Sequence, residues 1–209
     1  MATSPLWDRT KPLYKYVDAC DAHYLEAGSI KIGTFRSYAK LESSRQDTDE
    51  NIFRYDLPTL DMMNPDDNAL ARSFGFEVNN CNVEFRGNVS NIVGPNHYCI
   101  CTSYRDDLPE EILVPQAVFR IENVDKWMDR IVSLHRHIGT YVGGLVEYGI
   151  RGGVPTHGQT PTVDPFIKPE RYAHEHEVRF VSSKPCAEDA QPIYGAADEE
   201  LAALMERIR

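Results

Sequence analysis

The residues of this chain best placed to do chemistry lie in one late segment, Tyr172-Ala-His-Glu-His-Glu-Val-Arg-Phe180. Read as an extended strand from His174 to Ser182, its neighbours alternate between two faces. His174, His176, Val178 and Phe180 then share one face, and Val178 and Phe180 mark it as the core side. Glu175, Glu177 and Arg179 share the other. Two carboxylates about 7 Å apart, the two-residue repeat of a strand, raise each other's proton affinity. Such a pair can hold sugar hydroxyls and stabilise an oxocarbenium-like centre, as carboxylates do in glycosyl transfer. A solvated strand face carrying a Glu–Arg pair meets the same spacing, and spacing alone favours that plainer reading.

Other chemistries find less support. His135/His137 and His174/His176 are both His-x-His pairs, and on a strand the second could chelate an ion. Positions two apart on a helix do not face each other, and no Cys or Asp completes a metal-ligand spacing, so no metal centre is expected. The five cysteines (Cys20, Cys81, Cys99, Cys101, Cys186) form no Cys-x-x-Cys pair and are odd in number, which suits reduced thiols. Ser103 lacks a Gly-x-Ser-x-Gly elbow, and no phosphate-cradling glycine loop is present.

The elements that must position the late segment follow from patterning. Leu13–Val17 suits a strand, Asp18 an N-cap for a helix to Glu26 with Gly28 as its stop, and Ile30–Phe35 a second strand. Residues 40–70 are polar, acidic and without periodicity, and are expected to form one long loop. Phe74/Phe76/Val78 and Val83/Phe85 suggest a hairpin across Asn79-Asn80. His97–Tyr104 suits a central strand, and Val118-Phe119 another. Val124, Trp127, Met128, Ile131, Leu134 and Ile138 form a helical stripe ended by Gly139. Tyr141–Ile150 is strand-like, residues 151–165 a loop, and Asp198–Ile208 an Asp-capped helix. Unordered strands with helices at the ends predict a single α+β domain over residues 1–209 rather than a doubly wound α/β sheet.

Composition fits an ordinary folded protein: 209 residues, 42% hydrophobic and 26% charged, with a net charge of −10. The acidic balance disfavours binding nucleic acid by bulk electrostatics. No apolar run suits a membrane span and the N-terminus lacks signal-peptide character, so the cytoplasm is the expected location.

Three segments together resemble the ADP-ribosyltransferase fold, as found in DNA-modifying toxins of the DarT type. They also resemble a related uncharacterised bacterial family that opens with "lYKY" and closes with "E-x-E-y-R". The segments are Leu13-Tyr14-Lys15-Tyr16 with Leu25-Glu-Ala-Gly28-Ser-Ile30-Lys-Ile32-Gly-Thr34, the middle strand Cys101-Thr102-Ser103-Tyr104, and the closing Lys168-Pro-Glu-Arg-Tyr172-Ala-His-Glu175-His-Glu177-Val-Arg179. The resemblance implies a mixed or antiparallel split β core with short flanking helices. It implies NAD as substrate and a nucleic-acid or protein acceptor, in a toxin or phage-defence setting, with an antitoxin or regulatory protein as a further partner. Glu177 would hold the nicotinamide-ribose hydroxyl and stabilise the oxocarbenium ion, and Glu175 would orient or deprotonate the acceptor. Lys15, Tyr16, Thr34, Arg36, Tyr38, Thr102, Ser103 and Tyr104 are the implied cofactor contacts. The block Gly33–Glu42 with Arg45, Asp47 and Glu50 would shape the cofactor or acceptor pocket. The first motif departs from the family in offering Lys15 and Tyr16 where Arg or His is usual. A catalytically inactive binding or regulatory module on the same fold is the alternative. Glu177→Gln is expected to abolish transfer while leaving the fold intact.

Overall fold

The strand His97–Ser103, rich in β-propensity and buried along most of its length, organises the chain. In the computed structural model, residues 7–39, 52–74, 76, 84–85, 89–108, 116–154 and 163–209 are described. In chain order they form β1 (Leu13–Asp18), α1 (Ala22–Glu26), β2 (Lys31–Thr34), α2 (Phe35–Ala39), β3 (Ile52–Asp56), β4 (Leu60–Asp61) and α3 (Pro65–Ser73). Next come β5 (Glu84–Phe85), β6 (Val89–Val93), β7 (His97–Ser103), β8 (Gln116–Ile121) and α4 (Val124–Leu134). The remainder is β9 (Tyr141–Leu145), β10 (Glu147–Tyr148), β11 (Gly152–Gly153), β12 (Ile167–Lys168), β13 (Glu177–Pro185), β14 (Ile193–Tyr194), α5 (Glu199–Ala202) and β15 (Glu206–Arg207).

Eight of these strands make one antiparallel sheet, and the fold is mixed α+β. β13 runs along one edge of β7, with β9 beyond it. Two strands share the other edge of β7. β1 touches it only at Tyr14↔Ser103, while β2 pairs further along at Gly33↔Cys99 and Thr34↔Tyr98. β1 then diverges to pair fully with β8. Cys101 sits where the two neighbours part, and the Lys15 ammonium donates to its carbonyl at 2.7 Å, satisfying an acceptor that lacks a ladder partner there.

The main core lies on one face, where Leu13, Ile32, Ile100, Val178 and Phe180 pack beneath the α4 stripe of Val124, Trp127 and Ile131. The opposite face carries Cys99 and Val181 under Phe35, with Tyr38 and Phe166 packed alongside. From Glu177 to Ser182 both faces of β13 are therefore covered, and the sheet there is no half-solvated layer. Among the described residues, no helix is long and apolar enough to cross a membrane.

Several sequence expectations change. Of the 40–70 stretch, 40–51 lie outside the described residues and the rest is not one loop: β3 and β4 lie in it and α3 begins in it, and Leu60, Met62, Leu70 and Ala71 make a small core of their own. Asn64-Pro65 starts α3, with the Asn64 side chain accepting from the Asp66 N–H at 2.9 Å and proline in the first turn. Phe74 caps α3 and β5 pairs with β4, while 75 and 77–83, and with them the hairpin expected across Asn79-Asn80, lie outside the described residues. Asp18 precedes a short 3-10 turn without capping it by its side chain. Asp198 does cap a helix, but α5 is only four residues long and β15 follows, because Leu201 alone of that stretch is fully buried.

Candidate functional site

The late segment is not a strand from His174. Glu170–Glu175 is a 3-10 helix, His176 is left-handed at φ 46° and ψ 48°, and β13 begins at Glu177. The alternation inferred from the sequence holds from Glu177 onward: Val178 and Phe180 enter the main core, and Glu177 and Arg179 take the opposite face. That face is not solvent. Glu177 is 3% and Arg179 2% exposed. Glu175 arrives from the 3-10 helix, and the left-handed turn at His176 brings it to the same partner as Glu177.

That partner is Lys168. Its Nζ lies 2.5 Å from Glu175 Oε2 and 3.0 Å from Glu177 Oε2, and Arg179 Nε donates to Glu177 Oε1 at 2.6 Å. The closing motif therefore folds into a buried network of two carboxylates and two cations. Arg179 also donates to the Pro165 carbonyl at 2.7 Å and lies 5.7 Å from the Phe35 ring centre. Lys168 sits 4.7 Å from the Tyr172 ring centre, a cation–π contact. The Tyr148 hydroxyl accepts the Glu177 N–H at 2.8 Å.

The two carboxyls are driven apart electrostatically. Burial works against the charge of Glu177, but the Arg179 guanidinium and the Lys168 ammonium outweigh it and hold the carboxyl well below its usual range. Glu175 is pushed up to about 7, first by burial and then by the Glu177 charge, against the pull of Lys168. At neutral pH one carboxylate is firmly ionised while its neighbour readily gains or loses a proton. Glu175 also meets solvent, its side chain being 23% exposed against 4% for Glu177.

Around this network the sheet gathers some of the expected residues and disperses others. Ser103 is the register partner of Glu177 on one side and of Tyr14 on the other, so three strands meet at one level. Ser103 Oγ and the Tyr104 N–H donate to the His176 carbonyl at 3.3 and 3.1 Å, and the Tyr104 hydroxyl lies 2.9 Å from His176 Nδ1. Tyr38 covers Gly33 and approaches Cys99 and Cys101; its phenol is held strongly protonated by burial and then by these thiols and Glu177. Lys15 stands at the β1–β7 divergence.

Thr34, Arg36, Tyr16 and Thr102 make contacts elsewhere. Thr34 caps α2 by exchanging hydrogen bonds with Ser37, and Arg36 pairs with Glu188 at 2.7 Å. Tyr16 donates to the Arg105 carbonyl, and Thr102 to that of Val178 on the other face. Arg45, Asp47 and Glu50 lie outside the described residues. Sequence reasoning assigned no role to Lys168, Tyr148 or Cys101, although Lys168 opens the closing motif. His135 and His137 sit 6.2 Å apart between ring centres, and the described residues contain no cluster of metal-ligating type. No family model, no curated protein and no solved structure matches this chain.

Proposed function

We propose that the chain is an NAD-dependent ADP-ribosyltransferase on an ADP-ribosyltransferase-like fold, acting on a nucleic-acid or protein acceptor. The observation that carries this reading is the row Tyr14–Ser103–Glu177. The three separate segments that resemble the transferase motifs become adjacent strands, with these residues at one level. The Glu175/Glu177 pair supplies the chemistry. An ionised Glu177 stabilises positive charge growing on the nicotinamide ribose as the glycosidic bond breaks. Glu175, near 7, takes the acceptor's proton. Its partial exposure makes the Glu175 side the approach to the pair.

Because the Glu177 carboxylate offsets the charge of the buried Arg179, Glu177→Gln perturbs the fold as well as the chemistry. Glu175→Gln is the cleaner substitution. Incubation with labelled NAD and cell lysate is expected to label one macromolecular fraction with the native chain and none with Glu175→Gln. A native chain that neither binds nor consumes NAD with any acceptor refutes the reading. One observation favours a second reading, a non-enzymatic binding module: both oxygens of Glu177 are already engaged by Arg179 and Lys168. That reading requires identical, background NAD turnover in the native chain and in Glu175→Gln.

A further inference from the structure

Lys168 is fixed at both ends. β10 and β12 run parallel with Tyr148 opposite Lys168, and the Gly149 N–H donates to the Lys168 carbonyl at 2.9 Å. Arg151 Nε donates to the preceding Ile167 carbonyl, also at 2.9 Å. At the far end the ammonium meets Glu175, Glu177 and the Tyr172 ring, its side chain almost fully buried. The two carboxylates do not depend on it equally. Glu177 has Arg179 Nε at 2.6 Å, whereas among the described residues Lys168 is the one cation within hydrogen-bond distance of Glu175. Glu175 is otherwise faced by Glu177 from β13 and by the Tyr148 phenol from β10, which burial keeps protonated. Both carboxyls reach the same nitrogen, and without it the remaining guanidinium would stand on the other oxygen of Glu177. Two neighbouring carboxyls in that state favour a single shared proton, as in a carboxylate dyad.

We propose that Lys168 is the positioning residue of the pair: its ammonium holds Glu175 in place as the base and stops the two carboxyls from trapping one proton between them. As a statement about rate this rests on the transferase reading; as a statement about the ionisation of Glu175 it does not. The form of the ammonium suits the task. Its three donors diverge and can meet two carboxylates, where a planar guanidinium would clamp one of them through paired N–H groups. An opposite charge in contact lowers a carboxyl pKa by about 1–3. Loss of Lys168 therefore leaves Glu175 protonated at neutral pH and unable to take a proton from the acceptor.

The test follows the Glu175 carboxyl carbon by NMR across pH, without NAD, in the full native chain, Lys168→Met and Lys168→Arg, each checked for a cooperative melting transition. The native midpoint near 7 should rise by at least about 1 pH unit in Lys168→Met and by less than about half of one in Lys168→Arg. Each pH unit is a tenfold change in the ratio of ionised to neutral carboxyl. Transfer from labelled NAD at pH 7 should accordingly fall at least about five-fold in Lys168→Met and recover as the pH is raised, while Lys168→Arg keeps the native pH profile. An unmoved Glu175 midpoint in Lys168→Met, or transfer lowered equally at every pH, overturns the assignment. Should Lys168→Met fail to fold, the native chain decides: the Lys168 Nζ resonance should titrate with the Glu175 midpoint, and an independent midpoint overturns the assignment. A native chain that transfers no label, with the carboxyl midpoint moving as expected, removes the transferase reading and leaves the hold of Lys168 on Glu175 standing.

Discussion

Replacing Glu177 by Gln keeps the side chain's shape and removes its charge. Arg179, 2% exposed, then faces a neutral amide where it had a carboxylate 2.6 Å away, while it keeps the Pro165 carbonyl and Lys168 retains Glu175. Removing one partner of a buried ion pair costs about 3–5 kcal/mol, because the charge that stays loses its near counter-charge in a poorly polarisable site. For a chain of this size each kcal/mol lowers the melting temperature by about 2–4 °C, so a fall of about 6–20 °C is expected. Urea unfolding of three variants separates this cause from lost packing. Glu177→Gln is compared with Arg179→Met and with the double variant, whose methionine would lie among Phe35, Cys101 and Phe166. The double variant should be at least about 1 kcal/mol more stable than the sum of the single losses implies. A Glu177→Gln variant within about 1 kcal/mol of the native chain, or strictly additive losses, would refute the reasoning from the lost counter-charge.

Glu175 sets a pH dependence. Its folded pKa is raised from the ordinary 4.5 to about 7, so the folded chain holds a proton that the unfolded chain has released. Its contribution to stability is therefore complete below about 4.5 and is lost as pH rises through 7. Urea midpoints measured across this window should fall with pH in the native chain and flatten in Glu175→Gln. At His176, Gly and Val substitutions both lose the Tyr104 contact, so their difference isolates the backbone. Val at φ 46° should be about 1–2 kcal/mol less stable than Gly by chemical denaturation. Gly28→Ala, at φ 74° with a Cβ 1.9 Å from the Asp198 carbonyl oxygen, must displace the cap of α5; a loss of about 2–5 kcal/mol is expected in thermal unfolding.

The strands β1, β2, β7 and β8, and the α4 stripe, were legible because their apolar spacing reports burial directly. α3 was not, since Asn64-Pro65 is both a turn signal and a helix-start signal, and the helix presents only Leu70 and Ala71 to a core. The facing of Glu177 and Arg179 away from Val178 and Phe180 was legible from the two-residue repeat. Their burial was not: the layer over them comes from α2 and the Pro165–Lys168 stretch, neither of which advertises an apolar face. Nor does a histidine in left-handed conformation leave any trace in composition, yet His176 decides that Glu175 and Glu177 share one lysine.

The two edges of β7 are filled from segments that precede it and follow it at a distance, and this bears on how the chain folds as it is made. β1 and β2 emerge early, but β13 comes far later, and β14 and β15, which close onto β2 and β8, later still. During synthesis the strand His97–Ser103 must wait with one edge open until Glu177–Pro185 has left the ribosome. Pairings so distant in sequence make for slow folding, and an apolar strand with a bare edge is a template for intermolecular association in the meantime. Truncations that end before Glu177 should accordingly accumulate as aggregates rather than as a smaller folded unit.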